Sequence, residues 1–265
     1  MKEKKAGEDA PFRVLYFDTL PSTNEYAKTL AREGATEGTV IVARAQTAGH
    51  GRLDRPFVSP AGCGLYVSLL LRPAFSPALA HFITAAAAVA VAEAAEAVSG
   101  VPLRVKWVND IYSQEGKVSG ILTEAALASD GQRLAYAILG FGINLYPWGE
   151  DHSALAGPAA PLFAEAPAEE EREQRAKAIL MGVLTRFWAF YKALPEKPFM
   201  EAYRARSLLM GRQVTVYAPT DKEKSRPLYT ALAEGIDEEG ALIVRTSDGE
   251  EKRLTAGEVT LSVFP

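Results

Sequence analysis

The sequence predicts an α+β fold: a sheet flanked by helices, followed by a small antiparallel barrel. Three observations carry that expectation. Strand-like runs and helical patterns interleave from residue 12 to residue 193. Two of the helical stretches are long enough to cover a sheet. Near residue 208 the texture changes to short alternating runs divided by turn signals. The reading divides the chain into a flexible tail (1–11), a large unit (12–207) and the barrel (208–265).

The opening MKEKKAGEDAP balances lysines against acids without hydrophobic periodicity, hence the tail. Phe12–Leu20 reads as a short strand. In PSTNEYAKTLAREG, Ser22 and Glu25 have the spacing of a capping box and Gly34 suits a helical stop. Thr39–Ala45 is β-branched and reads as a buried strand, as does Gly64–Leu71. His81–Val98 is an alanine-rich helix ended by Gly100 and Pro102. Leu103–Val108, Val118–Ala125 and Leu134–Leu145 are strand candidates, and the proline-bearing 147–168 reads as a surface excursion. Glu169–Ala193 is an amphipathic helix whose opening acids suit the helix dipole. The barrel rests on Val214/Val216, Leu242/Val244 and Leu254/Val259/Leu261, separated by DEEG and SDGE.

Composition narrows the function classes. The chain has 265 residues, 48% hydrophobic and 23% charged, with a net charge of −4. That balance argues against a general nucleic-acid binder. One cysteine, Cys63, excludes an internal disulfide framework and fits a reducing compartment. The apolar stretch Phe82–Ala92 falls short of the roughly 20 residues a bilayer requires, and no signal-peptide core is visible at the start. The expected location is the cytoplasm.

Three segments could carry chemistry. The loop after the TVIVARA strand holds Gln46, Thr47, Gly49, His50, Gly51 and Arg52. Its glycines let backbone N–H groups turn toward an anion, and arginine binds phosphate or carboxylate through two hydrogen bonds. It is not a Walker loop, since no GxxxxGK(S/T) occurs, nor a dinucleotide fingerprint, because Asp54 holds the third glycine position and Pro56 follows instead of a helix. In LRVKWVNDIYSQEGKVSGIL, two strands joined by a polar turn would gather Lys106, Asn109, Asp110 and Lys117. In GFGINL, two glycines and Asn144 suit backbone close to a ligand. Taken singly, each segment reads more readily as an ordinary turn, hairpin or bulge, and Ser22–Asn24 as a helix cap.

Their order is more specific. STN, QTAGHGR, SPAGCGLYVSLLLRP, KWVND, GKVSGIL and GFGINL, closed by a small barrel, together resemble the biotin–protein ligase family from about Tyr16 to Val263. The resemblance implies a mixed sheet with flanking helices, related to class II aminoacyl-tRNA synthetases, and a C-terminal SH3-like barrel. It implies ATP-dependent activation of biotin and transfer to a lysine of a biotin carboxyl carrier domain of acetyl-CoA or a related carboxylase. By the same resemblance Arg52 and Lys117 are the catalytic cations. Ser22, Thr23, Asn24, Gln46, Gly49, His50, Gly51 and Gly120 join them around biotin. Arg52, Arg55, Phe57, Lys106, Trp107, Asn109, Asp110 and Asn144 are implied for ATP and the adenylate. Magnesium would accompany ATP, with Asp110 near it and no dedicated metal cage.

The chain departs from the family's GRGRxGRxW loop, reading GHGRLDRPF. His50, Asp54 and Phe57 replace arginine, glycine and tryptophan. A charge-assisted hydrogen bond is worth roughly 1.5–3 kcal/mol, so the His50 exchange is expected to loosen the hold on the adenylate. Val108 replaces the proline of KWPND. Some relatives begin with a DNA-binding helix-turn-helix domain. About 11 residues precede the first strand here, so the expectation is ligation without DNA, by a monomer or homodimer with no membrane partner. The alternatives are a lipoate–protein ligase and a non-catalytic binder of biotin or its adenylate.

Overall fold

The computed structural model describes residues 2–5, 11–148, 159–221, 224–255 and 258–261. Lys2–Lys5, within the segment read as tail, forms β1 and pairs antiparallel with β2 (Arg13–Leu20). Helix α1 (Thr23–Arg32) follows, with Ser22 as N-cap accepting from the Glu25 N–H at 3.4 Å. Gly34, at φ +88°, lets the chain leave the helix in the left-handed region. The chain returns in β3 (Thr39–Gln46), parallel to β2. Parallel neighbours need such a crossover, and α1 supplies it.

From β3 the sheet is antiparallel: β4 (Gly64–Leu71) pairs with β3 and with β8 (Leu134–Asn144). Between them come α2 (His81–Ser99), β5 (Arg104–Lys106), β6 (Asp110–Tyr112) and β7 (Lys117–Leu127). The strand order is β1-β2-β3-β4-β8-β7-β6-β5, a mixed sheet. Where sequence suggested two strands and a turn around KWVND, there are three. The chain reverses at 107–109 and again at 113–116, so β6 pairs with both β5 and β7. The short run hid the second reversal from a periodicity argument.

Alternation along the strands gives the sheet two apolar faces. Val40, Val42, Leu65, Val67 and Leu69 pack with α2 and with α3 (Glu169–Lys192). Ile41, Ala43 and Leu70 pack with α1. Pro77–Ser99 spans 23 residues, long and apolar enough on those grounds to cross a bilayer. It is a core helix instead: Phe82, Ile83 and every residue from Ala86 to Ala92 are fully buried. Each large side chain so buried contributes roughly 1.5–3 kcal/mol, and the alanines let α3 approach closely. Gly100, at φ +71°, ends α2.

Of the expected 147–168 excursion, residues 149–158 lie outside the described residues. Its remainder returns to the sheet: Ala160 N–H donates to the Lys117 carbonyl at 2.9 Å and Leu162 N–H to that of Asn144 at 2.8 Å. A short helix that the sequence reading passed over, α4 (Met200–Ala205), leads to residues 206–208, which cover the β5 edge. The second sheet contains β9 (Gln213–Tyr217), β10 (Pro227–Ile236), β11 (Leu242–Thr246), β12 (Glu251–Leu254) and β13 (Glu258–Leu261). It is antiparallel, in the order β12-β11-β10-β9-β13. Val214, Val216, Ala231, Ala233, Val244 and Val259 form its buried side.

Candidate functional site

On the α1 face of the large sheet lies a cleft of about 470 Å³. The floor is cut by glycines. A Cβ on Gly140 would stand 2.2 Å from Asn24 Oδ1, and one on Gly142 would stand 2.4 Å from the Phe57 ring. Strands β7 and β8 therefore carry glycine where side chains from α1 and the 49–57 loop must reach the sheet.

One wall is a network of neutral groups. The N-terminus of α1 buries Ser22, Thr23 and Asn24 to 4–5% exposure. Thr23 donates to Gln46 Oε1 from both its N–H, at 2.8 Å, and its hydroxyl, at 3.1 Å. Gln46 Nε2 donates to Ser59 Oγ at 2.9 Å. The fully buried Ser68, on β4, lies 2.5 Å from Asn24 Oδ1 and 2.8 Å from Thr23 Oγ1. Asn24 Nδ2 donates to Glu124 at 2.8 Å. Such a network fixes the direction of every donor before a ligand arrives.

The opposite character belongs to the Lys106–Lys117 region. Lys117 Nζ lies 2.7 Å from Asp110 Oδ1. Burial would raise the Asp110 carboxyl, but Lys117 and Lys106 outweigh it and hold the group below its usual value. Arg52 donates to Asn109 Oδ1 at 3.4 Å, and Asn109 Nδ2 donates to the Ile121 carbonyl at 2.7 Å. Asn144 Nδ2 donates to the Lys117 carbonyl at 3.2 Å, bracing the start of β7. Burial, then the Asp110 charge, pushes the Tyr112 hydroxyl up, so it remains a neutral phenol.

The 49–57 loop joins the two regions. Gly51 N–H donates to the Arg55 carbonyl at 2.8 Å and Phe57 N–H to that of Gly49 at 2.9 Å. Leu53 and Asp54 hold φ of 59° and 57°. The family glycine replaced by Asp54 would reach that region without Cβ strain. His50 Nε2 is 3.7 Å from Glu25 Oε1. Glu25, His50 and Glu124 converge as metal ligands could. Lys28 occupies that centre instead, at 2.6 Å from Glu25 and 2.7 Å from Glu124.

Of the residues expected to act, all but Gly49 line this one cleft. Gly49 lies behind the loop, where a Cβ would stand 2.6 Å from the Phe57 carbonyl. Phe57 turns its ring onto Gly142 and Gly120, 6.4 Å and edge-on to Tyr66. Trp107 is 5% exposed, and its indole N–H donates to the Gly240 carbonyl of the second sheet at 2.9 Å. Sequence reasoning missed Ser59, Ser68, Tyr112, Lys224 and the β13 residues Val259–Leu261. The glycines of GFGINL were noted, but nothing in a lone serine or a barrel strand signals a cleft 100 residues away. Five Arg and Lys side chains (Arg52, Arg55, Lys106, Lys117 and Lys224) face a single carboxylate, Asp110, among the described lining residues. A polyanion suits that balance.

Comparison with known proteins identifies the family. The Biotin/lipoate A/B protein ligase family matches residues 16–144, and the Biotin protein ligase C terminal domain matches residues 210–262. The chain is 33% identical over 246 residues to the bifunctional ligase/repressor BirA of Bacillus spizizenii, covering 92% of this chain and 72% of that protein. It is 30% identical to the biotin–[acetyl-CoA-carboxylase] ligase of Mycobacterium tuberculosis, covering 90% and 85%. Among solved structures, the biotin protein ligase from Aquifex aeolicus in complex with biotin and ATP is similar, with TM-score 0.72 and 30% identity over 94% of this chain and 97% of that one.

Proposed function

The chain belongs to the biotin/lipoate A/B protein ligase family, and from that premise we propose that its cleft performs both steps of biotin–protein ligation. The protein is an ATP-dependent biotin–protein ligase. The observation that carries the reading is the meeting, in one cleft, of a fixed neutral network with a cationic cluster. The first suits an uncharged bicyclic ureido ring; the second suits phosphates and a carboxylate.

The chemistry follows from those groups. A biotin carboxylate oxygen bonds to the α-phosphorus of ATP, the bond to the β-phosphate bridging oxygen breaks, and diphosphate leaves. Two anions must meet, so fixed cations that neutralise the developing charge matter more than an acid–base pair. Arg52 and Lys117 serve the carboxylate and the α-phosphate. Ser22, Thr23, Asn24 and Gln46 hold the ureido end, over the floor that Gly120 helps to make. Arg55, Lys106, Asn109 and Asp110 serve the nucleotide. In the second step the neutral amine of the acceptor lysine bonds to the acyl carbon, AMP leaves with the electron pair of the broken C–O bond, and the amine gives up a proton.

Magnesium neutralises the phosphates in such reactions. Asp110 is the one carboxylate among the described lining residues, which fits a metal carried largely by the nucleotide and its waters. The acceptor is the biotinyl carrier domain of acetyl-CoA carboxylase or a related carboxylase. The site of action is the cytoplasm, where that acceptor and ATP are available.

Intact-mass analysis tests this. The protein, biotin, ATP and magnesium are incubated with a carrier domain, alongside Lys117→Ala and with lipoate in place of biotin. A biotin adduct that the variant fails to make is expected. An adduct with lipoate alone would overturn the substrate, and none with either would overturn ligation.

A further inference from the structure

The turn between β10 and β11 is unusually well held. Asp237 Oδ1 accepts from the N–H groups of Glu239 at 2.9 Å and Ala241 at 2.8 Å, which stiffens the turn from within. Four of its backbone carbonyls point outward, and each meets a side chain from the catalytic half. Arg204 donates to Ile236 at 2.8 Å and Lys197 to Glu238 at 2.9 Å. His81 meets Glu239 at 3.0 Å, which requires its Nε2 to carry the proton, and Trp107 donates to Gly240 at 2.9 Å.

Trp107 also belongs to the reversal that presents Asn109 and Asp110 to the cleft. That reversal is tied at three more points. Tyr203 donates to the Val108 carbonyl at 2.9 Å, Asn109 exchanges hydrogen bonds with Ile121, and Arg52 reaches Asn109. The indole and Asn109 thus belong to one braced reversal, which Arg52 joins from the 49–57 loop. Thr23, Gln46 and Ser68 of the neutral network stand on α1, β3 and β4 and bond among themselves.

We propose that the Ile236–Gly240 turn, acting through Trp107, is a positioning element for the ATP-activation step, setting Asn109, Asp110 and Arg52 against the nucleotide. Trp107 is a positioning residue: its polar group is spent on the second sheet. The proposal rests on the ligase reading and says which half of that site the second sheet controls.

The test uses the full chain and two positions. Trp107→Phe keeps an aromatic ring and loses the donor. His81→Ala removes a contact to the same turn from outside the cleft, and His81→Gln restores a donor there. A hydrogen bond of ordinary net strength corresponds to about a five- to tenfold effect. The expected result is a rise of that size in the KM for ATP in Trp107→Phe. A smaller rise of the same kind is expected in His81→Ala, with His81→Gln near the unmutated protein. The KM for biotin and transfer from preformed biotinyl-adenylate stay within about twofold throughout.

Equal losses for ATP and biotin would overturn the proposal, as would a lower melting temperature with unchanged kinetics. A second readout needs no ligation: ATP should raise the melting temperature less in Trp107→Phe than in the unmutated protein, while biotin raises both equally. If the unmutated protein failed to ligate yet showed that pattern, the ligase reading would fall while the turn's hold on the nucleotide half of the cleft would stand.

Discussion

The two walls of the cleft solve opposite problems. Around Thr23, Asn24, Gln46 and Ser68, neutral groups satisfy one another in the absence of a ligand, at exposures of 0–5% for Thr23, Asn24 and Ser68. Around Arg52, Lys106, Lys117 and Asp110 the groups are charged, and the side chains of Lys117 and Asp110 remain 28% and 22% exposed. The first wall is neutral and closed by folding; the second is charged and open to an anion. The difference teaches where each element's energy goes. Buried neutral hydrogen bonds add to stability and shape, whereas clustered like charges cost stability and are repaid on binding.

The largest expected break in this comparison is Lys117→Ala. Removing a cation from the developing phosphate charge should slow single-turnover adenylation about 10²- to 10³-fold, while biotin affinity in the absence of ATP changes far less. Equal losses in both would mean the walls are not separable.

Gly140→Ala should act in the opposite sense. Its Cβ would collide with Asn24, and overpacking of this kind costs about 1–3 kcal/mol. Calorimetry should show weaker biotin binding and a lower melting temperature, with the response to ATP retained. Unchanged biotin affinity would remove Asn24 from the ureido site.

Ser68→Ala removes the buried hydroxyl shared by Asn24 Oδ1 and Thr23 Oγ1, at a cost of roughly 1–2 kcal/mol in stability, measurable by denaturant unfolding.

Asp110→Asn sharpens the contrast, with the smallest expected effect. The Asp110 carboxyl is depressed in the folded protein, first against burial and then by Lys117 and Lys106. A carboxyl lowered on folding stabilises above its unfolded value of about 3.9 and loses that contribution as pH falls through the lower native value. The stability gap between the unmutated protein and Asp110→Asn should thus be complete near neutrality and close below about pH 4. A gap that widened in acid would reverse the sign assigned to this group.

Much of this was legible in the chain because it is local. β-branched runs set β3 and β4, alanine density set α2, Ser22 capped α1, and Gly34 and Gly100 ended helices where the backbone turns left-handed. The order of loop and strand motifs identified the family, since each type of residue is demanded by the same chemistry. What stayed hidden was long-range. The length of β6 falls below any periodicity test, and β10 bulges at Ala233/Gly235, blurring its alternation.

Ser68 acquires its role only because β4 lies under the start of α1, and Lys224 only because the second sheet meets the same cleft. The sequence alone determined which residues carry charge, turn or helix, since those are properties of a residue and its near neighbours. Only the tertiary structure decided which neutral groups find one another, and that Trp107 faces the Gly240 carbonyl across 133 residues. A hydrogen bond depends on atoms brought within about 3 Å, and that distance is set by packing rather than by position along the chain.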